Sequence, residues 1–180
     1  SPLSILAQPG AKECCLELNS LSKAHNMAGW RIGMVAADAE IISQILKVKS
    51  QMDSGMFKPL QLAAVKALEQ GSGWFTELND EYRRRRVLAG AIFDMLGVEY
   101  DHSSAGMFLW GKVPQDVQAT EEISIGQVLS DRILYDAGVF ITPGFIFGKN
   151  GEDYIRISLC AKPETLREAA ERIRQAGINR

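Results

Sequence analysis

The stretch Ser20-Leu-Ser-Lys-Ala-His-Asn-Met-Ala-Gly-Trp-Arg-Ile-Gly33 is the most informative part of this sequence. It combines one lysine, two serines, one arginine and two glycines in a short span. A deprotonated lysine amine condenses with an aldehyde, and serine hydroxyls together with an arginine guanidinium bind a phosphate dianion. Glycines let the backbone approach such a ligand closely. The residue types therefore suit a phosphorylated aldehyde cofactor.

Residue chemistry alone leaves this as one hypothesis among several, because Ser-x-Ser-Lys is short and glycine-rich anion loops are common. The run Ser20–Gly33 resembles, position by position, the lysine-attachment signature of class I and II aminotransferases, which are fold type I enzymes dependent on pyridoxal 5'-phosphate (PLP). The resemblance implies that Lys23 is the catalytic residue, which holds PLP as a Schiff base and moves the substrate α-proton. Ser20 and Arg31 match phosphate ligands, and Ser22 is a weaker candidate for the same cluster.

A second resemblance lies downstream, in Pro143-Gly-Phe-Ile-Phe-Gly148 and the following Asp153-Tyr-Ile-Arg-Ile-Ser158. In the family, the arginine of this second segment binds the substrate α-carboxylate, so the resemblance gives that role to Arg156. A planar guanidinium suits the task because two parallel hydrogen bonds fix both the position and the orientation of a carboxylate. The competing interpretation is an exposed arginine in a salt bridge with Asp153 or Glu152.

The hydrophobic pattern predicts an α/β chain. By resemblance, it is the C-terminal part of a PLP-dependent transferase fold: the end of the large-domain sheet, a long interdomain helix, and a small α/β domain with a mainly antiparallel sheet. The turn Gly71-Ser-Gly73 predicts a division into residues 1–71, the remainder of the large PLP-binding domain, and residues 72–180, the helix and small domain. Strands are predicted at 13–19, 32–35, 107–113, 139–142 and 154–159, and helices at 39–51, 59–68, 74–96, 123–135 and 163–176.

Composition narrows the range of partners and compartments. A formal charge of -2 gives no bulk attraction to nucleic acid or to an anionic membrane. The four arginines Arg83–Arg86 spread around a helix at about 100° per residue, so we expect a solvated face with local ion pairs to Glu77, Asp80 and Glu81 and no single basic stripe. Three cysteines without metal-ligand spacing predict no metal site and a reducing compartment. Without an apolar stretch of roughly 20 residues or a signal peptide, we expect a cytoplasmic protein.

The likeness extends over nearly the whole chain, but the family's acidic partner of the pyridine nitrogen and its stacking aromatic precede the matching segment. We therefore expect the C-terminal portion of an enzyme that transfers an amino group between an α-amino acid and a 2-oxo acid, inactive on its own. Family members build each active site across a homodimer interface, and Asp53–Phe57 is a candidate for contacts with the partner. Two alternatives stay open: another fold type I PLP enzyme, such as a lyase or decarboxylase, and a non-catalytic folding or association module.

Overall fold

The structure is a computed structural model and describes residues 3–117 and 123–178. The chain divides into two compact units between Phe75 and Thr76, here called the N-terminal unit and the C-terminal unit. Each unit has a hydrophobic cluster of its own. The predicted assignment of residues 1–71 and 72–180 to two domains of the family stays a prediction.

The N-terminal unit combines a two-stranded sheet with helices. Strands β1 (Leu16–Ser20) and β2 (Gly33–Ala37) are antiparallel, with Leu16 opposite Ala37 and Ser20 opposite Gly33. The predicted first strand begins later than expected, because residues 11–14 form a short helix whose last turn ends at Cys15. The elements are α1 (Ala11–Cys14), β1 (Leu16–Ser20), α2 (Leu21–Ala24), β2 (Gly33–Ala37), α3 (Ala39–Met52) and α4 (Lys58–Leu68), with 3-10 turns at Ile5–Ala7 and Ala28–Trp30.

Local sequence explains where the helices of this unit begin. The carboxylate of Asp38 accepts a hydrogen bond from the Glu40 backbone N–H at 2.8 Å and so caps the N-terminus of α3. Pro59 lies in the first turn of α4, where a missing N–H costs no helical hydrogen bond. The predicted bounds of these two helices are therefore confirmed to within one residue.

The core of the N-terminal unit is small. Its buried cluster consists of Leu21, Met27, Ile32 and Ala64. Helix α3 has apolar residues along one side, yet none of its residues is buried, and Val48 is 64% exposed. Hydrophobic pattern alone therefore predicted the helix correctly but not its burial.

The C-terminal unit contains most of the long helix α5 (Ser72–Leu96) and a four-stranded antiparallel sheet. The strand order is β3 (Glu99–Tyr100), β4 (Phe108–Lys112), β6 (Tyr154–Ser158), β5 (Thr142–Pro143), which confirms the predicted small α/β domain with an antiparallel sheet. Strand β3 was not predicted. The elements are α5 (Ser72–Leu96), β3 (Glu99–Tyr100), β4 (Phe108–Lys112), α6 (Ile125–Ala137), β5 (Thr142–Pro143), β6 (Tyr154–Ser158) and α7 (Pro163–Gln175), with 3-10 turns at Gly144–Phe147 and Lys149–Gly151.

The predicted strand at 139–142 is wrong in extent, because only Thr142–Pro143 pairs with β6. The residues before it complete the end of α6. The Val139 N–H donates to the Ile133 carbonyl at 3.4 Å, and the Ser130 hydroxyl donates to the carbonyl of Ile141. These backbone groups are thus used by the helix and are not available to a strand ladder.

Alternation along β6 separates its two faces. Ile155 and Ile157 belong to the buried cluster of the C-terminal unit, which packs between the sheet and the helices. Tyr154, Arg156 and Ser158 alternate with them and are only partly buried. Because successive residues of a strand point to opposite faces, Arg156 lies on the face away from the core.

The arginine run on α5 behaves only partly as predicted. Ion pairs with acidic residues one turn earlier are confirmed, and they are Arg83–Asp80, Arg84–Glu81 and Arg85–Glu81. Arg86 differs, because its guanidinium donates to the Ser104 hydroxyl at 3.1 Å and to the Gly106 carbonyl at 2.6 Å. Arg85 also donates to the Leu159 carbonyl at 3.1 Å. Two of the four arginines, Arg85 and Arg86, therefore hydrogen-bond to loops.

Across residues 3–117 and 123–178, we find no helix with both the length and the apolar character needed to cross a membrane.

Candidate active site

The lysine motif forms a tight turn where β1 ends and α2 begins. Ser20 is the last residue of β1 and the N-cap of α2, and its Oγ accepts a hydrogen bond from the Ser22 backbone N–H at 3.2 Å. The Ser20 hydroxyl also donates to the Ser22 Oγ at 3.0 Å. Lys23 follows on the same turn and is exposed. The strand therefore delivers two hydroxyls and the lysine to one place, as the sequence pattern predicted.

Pairing of β1 with β2 returns Arg31 to this turn. Ser20 pairs with Gly33, and the Leu21 N–H donates to the Ile32 carbonyl at 3.3 Å. Arg31 immediately precedes these residues and has a left-handed backbone, with φ of 52°. Such a conformation costs an ordinary residue roughly 1–2 kcal/mol. The Arg31 side chain bonds within the same turn, where its Nη1 atom donates to the Ala28 carbonyl at 3.0 Å. The predicted lysine and its three candidate phosphate ligands thus share one end of the hairpin.

The groups at this hairpin end fit a phosphorylated aldehyde. They comprise an amine, two hydroxyls and a guanidinium, and the run 20–33 contains no acidic residue. Cationic and hydroxyl donors bind a phosphate dianion by charge-assisted hydrogen bonds. The amine lies on the same turn as the hydroxyls, as a cofactor with both an aldehyde and a phosphate requires. The residues present therefore match the chemistry of PLP.

Trp74 and Phe75 contact the C-terminal end of α2, the helix that carries Lys23. The Trp74 indole N–H donates to the Ala24 carbonyl at 3.1 Å, and the Phe75 ring meets the His25 ring edge-on at 5.5 Å. The Nδ1 atom of His25 is buried and has no hydrogen-bond partner in the described part of the chain. Sequence reasoning missed this anchor, because nothing in the motif points to residues 50 positions away.

Arg156 lies against aromatic rings in the C-terminal unit. Its guanidinium carbon is 4.2 Å from the ring centroids of both Phe108 and Phe147. Its Nε atom is buried and has no hydrogen-bond partner in the part of the chain that the structure describes. Within the described residues, no ion pair joins Arg156 to Asp153 or Glu152. The salt-bridge interpretation of this arginine is therefore wrong, and the cation has no counter-ion within the described chain.

Further aromatic packing surrounds this arginine. Trp110 lies directly opposite Arg156 in the β4–β6 pair. Its ring stacks on Tyr154, with centroids 5.3 Å apart, and meets Phe147 edge-on at 5.7 Å. The sequence alone could not give the strand register that brings these rings to Arg156.

Comparison with known proteins identifies the family. The sequence model of the family described as "Aminotransferase class I and II" matches residues 4–173, which is nearly the whole chain. The chain belongs to the class I and II aminotransferases. Members of this family are PLP-dependent enzymes, and the resemblance seen in the lysine motif is thereby confirmed at the level of the family.

Two curated aminotransferases are each 40% identical to this chain over the aligned residues. An LL-diaminopimelate aminotransferase of Oleidesulfovibrio alaskensis is 40% identical over 172 residues, which cover 96% of this chain and 42% of the relative. An enzyme of the same name from Aquifex aeolicus is 40% identical over 173 residues, covering 96% of this chain and 43% of the relative. The chain therefore spans well under half the length of these aminotransferases.

Solved aminotransferase-like structures match the fold. The apo structure of BacF from Bacillus subtilis superimposes with a TM-score of 0.84 at 32% identity, covering 97% of this chain and 45% of that one. The aromatic aminotransferase of Pyrococcus horikoshii gives a TM-score of 0.82 at 31% identity, covering 97% and 47%. The predicted fold class, part of a PLP-dependent transferase fold, is confirmed.

Proposed function

We propose that the whole protein to which this chain corresponds is a PLP-dependent aminotransferase, which transfers an amino group between an α-amino acid and a 2-oxo acid. One observation carries the proposal. Pairing of β1 with β2 brings Lys23, the hydroxyls of Ser20 and Ser22, and Arg31 to the same end of the hairpin, and the chain belongs to the aminotransferase family. Family membership favours an enzyme over a purely structural module. The retained lysine, serine hydroxyls and arginine favour it too, since folding alone does not require these groups.

At the hairpin end, we assign Lys23 to covalent attachment of PLP and to proton transfer at the substrate α-carbon. Ser20, Ser22 and Arg31 are assigned to the cofactor phosphate. When bound, PLP supplies the electron sink that makes the α-proton of an amino acid removable. The strand pairing and the Ser20 cap hold the phosphate donors in place before the ligand arrives, which lowers the entropic cost of binding.

In the C-terminal unit, we assign Arg156 to the substrate α-carboxylate. The support is its charge, since no ion pair of the described residues involves Arg156. A buried or half-buried cation without a counter-ion is costly unless a ligand supplies the opposite charge. A carboxylate would satisfy the two terminal nitrogens in one planar, two-point contact.

The relatives suggest which amino donor to test first. Enzymes named LL-diaminopimelate aminotransferase are up to 40% identical to this chain, whereas one structural relative is an aromatic aminotransferase. A screen of the whole protein with LL-diaminopimelate and with aromatic amino acids as donors, each against several 2-oxo acids, would test the activity. We expect turnover that depends on the 2-oxo acid. Turnover of an amino acid without any 2-oxo acid would instead indicate a lyase or decarboxylase.

The cofactor assignment can be tested on the 180-residue chain itself. PLP at equimolar concentration, followed by borohydride reduction and peptide mass spectrometry, should place the adduct on Lys23 in preference to exposed lysines such as Lys47. Pyridoxal, which lacks the phosphate, should lose that preference, and so should PLP with the Arg31→Leu variant. Adducts spread evenly over the lysines would contradict the assignment. The chain alone is expected to show no transamination.

We further propose that the whole protein is a cytoplasmic homodimer that binds neither nucleic acid nor membrane. Asp53–Phe57 remains the candidate segment for partner contacts, and the Phe57 side chain in it is 69% exposed. Cys14, Cys15 and Cys160 are all unpaired, which suits a reducing compartment. Analytical ultracentrifugation of the whole protein, with and without Phe57→Asp, would test the dimer. A monomeric wild type would refute it.

A further inference from the structure

We propose that Phe108 and Phe147 are positioning residues, which hold the Arg156 guanidinium in place so that its two terminal nitrogens receive a carboxylate. Here the two rings together are called the aromatic clamp. The inference rests on the carboxylate role proposed above for Arg156 and extends it to residues that act through the arginine. It starts from one observation, that both ring centroids lie 4.2 Å from the guanidinium carbon.

The contacts of Arg156 leave little choice in how a ligand approaches. The two rings occupy positions next to the guanidinium carbon, and the Nε atom is buried without a partner. No ion pair of the described residues involves its two terminal nitrogens either. A ligand can therefore reach the two terminal nitrogens, Nη1 and Nη2. These two nitrogens can donate a pair of parallel hydrogen bonds to the two oxygens of a carboxylate.

The backbone fixes the position of the Phe147 ring. Phe147 ends the 3-10 turn Gly144–Phe147, which lies next to a second turn, Lys149–Gly151. A Cβ atom added to Gly144 would collide with the Gly151 carbonyl oxygen, and one added to Gly151 would collide with the Gly144 carbonyl oxygen. Such close backbone packing needs glycine at both positions. The turn that carries Phe147 thus has a defined position, and the edge contact with Trp110 at 5.7 Å supports it.

Strand pairing fixes the Phe108 ring. Phe108 pairs with Ser158 in the β4–β6 ladder, and Trp110 pairs with Arg156. Residues two apart on a strand share a face, so Phe108 and Arg156 are diagonal neighbours on the face away from the core. The two rings therefore come from different parts of the unit, one from a strand and one from a turn, and meet at the same side chain.

A clamped arginine has already lost much of its rotational freedom before a ligand arrives. Ordering a long side chain on binding costs roughly 0.5–1.5 kcal/mol, which corresponds to about a 2- to 12-fold loss of affinity. Removing one ring should shift that cost to the binding step. We therefore expect Phe147→Leu and Phe108→Leu to weaken carboxylate binding about 3- to 10-fold, while leaving the arginine itself in place.

The test uses the 180-residue chain labelled with ¹⁵N, with acetate as the probe. The side-chain Nε–H signal of Arg156, assigned by its loss in Arg156→Lys, reports both the aromatic surroundings and the bound carboxylate. We expect a ring-shifted signal in the free chain that moves further on addition of acetate. In Phe147→Leu the ring shift should fall and the acetate affinity should drop, and Phe147→Tyr should restore both.

Phe145→Leu is the matched control, because Phe145 lies on the same turn, whereas the cation–π contacts found for Arg156 are with Phe108 and Phe147. This variant should bind acetate as the wild type does. Unchanged acetate affinity in both Phe147→Leu and Phe108→Leu, in an experiment where the wild-type Arg156 signal does respond to acetate, would overturn the clamp alone. If the Arg156 signal of the wild type does not respond to acetate, the carboxylate role fails first and the clamp fails with it. A loss in Phe147→Leu that Phe147→Tyr does not restore would also contradict a role for the ring.

Discussion

At Gly33, strands β1 and β2 come closer than a side chain would allow. A Cβ atom at this position would lie 2.7 Å from the Asn19 carbonyl oxygen, which is backbone and cannot rotate away. We predict that Gly33→Ala weakens the hairpin by roughly 1–3 kcal/mol. Hydrogen exchange of peptides covering Leu16–Ser20 would measure the loss as faster exchange. Gly29→Ala is the control from the same motif, since nothing lies within 4 Å of its Cβ, and equal exchange in the two variants would contradict the prediction.

A second effect at single-residue scale concerns pH. The Asp101 carboxylate accepts hydrogen bonds from the Ser103 hydroxyl at 2.7 Å and from the Ser103 N–H at 2.8 Å, and these bonds lower the pKa of Asp101. A carboxylate with a lowered folded pKa contributes its full stabilisation above its unfolded pKa, about 3.9, and loses it as the pH falls through the folded value. We predict that the Ser103 amide signal in NMR titrates with a midpoint below about 3.9. Asp101→Asn should abolish the titration, and a midpoint above that value would contradict the assignment.

At the scale of the element, helix α5 uses its arginines in two ways. Arg86 binds the Ser104 hydroxyl and the Gly106 carbonyl, and so holds the loop that leads into β4. Arg83 is exposed and pairs with Asp80 on its own helix. We predict that Arg86→Met lowers the free energy of unfolding by about 1–2 kcal/mol, because hydrogen bonds to a charged group are lost. Arg83→Met should change it by less than about 0.5 kcal/mol. Urea unfolding followed by near-UV circular dichroism would compare them, and equal losses would refute the distinction.

The sequence predicted elements where local signals suffice. Asp38 and Pro59 mark helix starts by chemistry that acts within one turn, and both helices were found within one residue of the prediction. Strand β5 was predicted too long, because the hydroxyl of Ser130 takes the Ile141 carbonyl. A bond across 11 residues from a helix to a following segment leaves no periodic trace in the sequence. Local structure could therefore be inferred, and tertiary competition for backbone groups could not.

The same limit applies to the candidate site. The lysine motif is contiguous, so its hydroxyls and Lys23 could be placed on one turn from the sequence. The surroundings of Arg156 come from three separate segments, and the register that pairs Trp110 with Arg156 depends on the whole sheet. Phe108 and Phe147 therefore became visible only in the folded unit.

At the scale of the whole molecule, the two units differ in how much apolar surface they bury. The C-terminal cluster contains 17 buried residues among those described, and the N-terminal cluster contains four. In the N-terminal unit, Leu18 is 72% exposed and Val48 is 64% exposed. Since buried apolar area is the main favourable term in folding, the N-terminal unit has the weaker basis for stability.

We predict that in this chain the N-terminal unit opens at lower urea than the C-terminal unit. Hydrogen exchange with mass spectrometry across a urea series should show peptides before Phe75 exchanging first, because local stability follows the density of buried contacts. Leu21→Ala should lower the free energy of unfolding of the N-terminal unit alone, by roughly 2–5 kcal/mol. Ile133→Ala should lower that of the C-terminal unit alone by a similar amount. Loss of protection at one common urea concentration, moved equally by both variants, would show that the two units unfold as one and would refute the prediction.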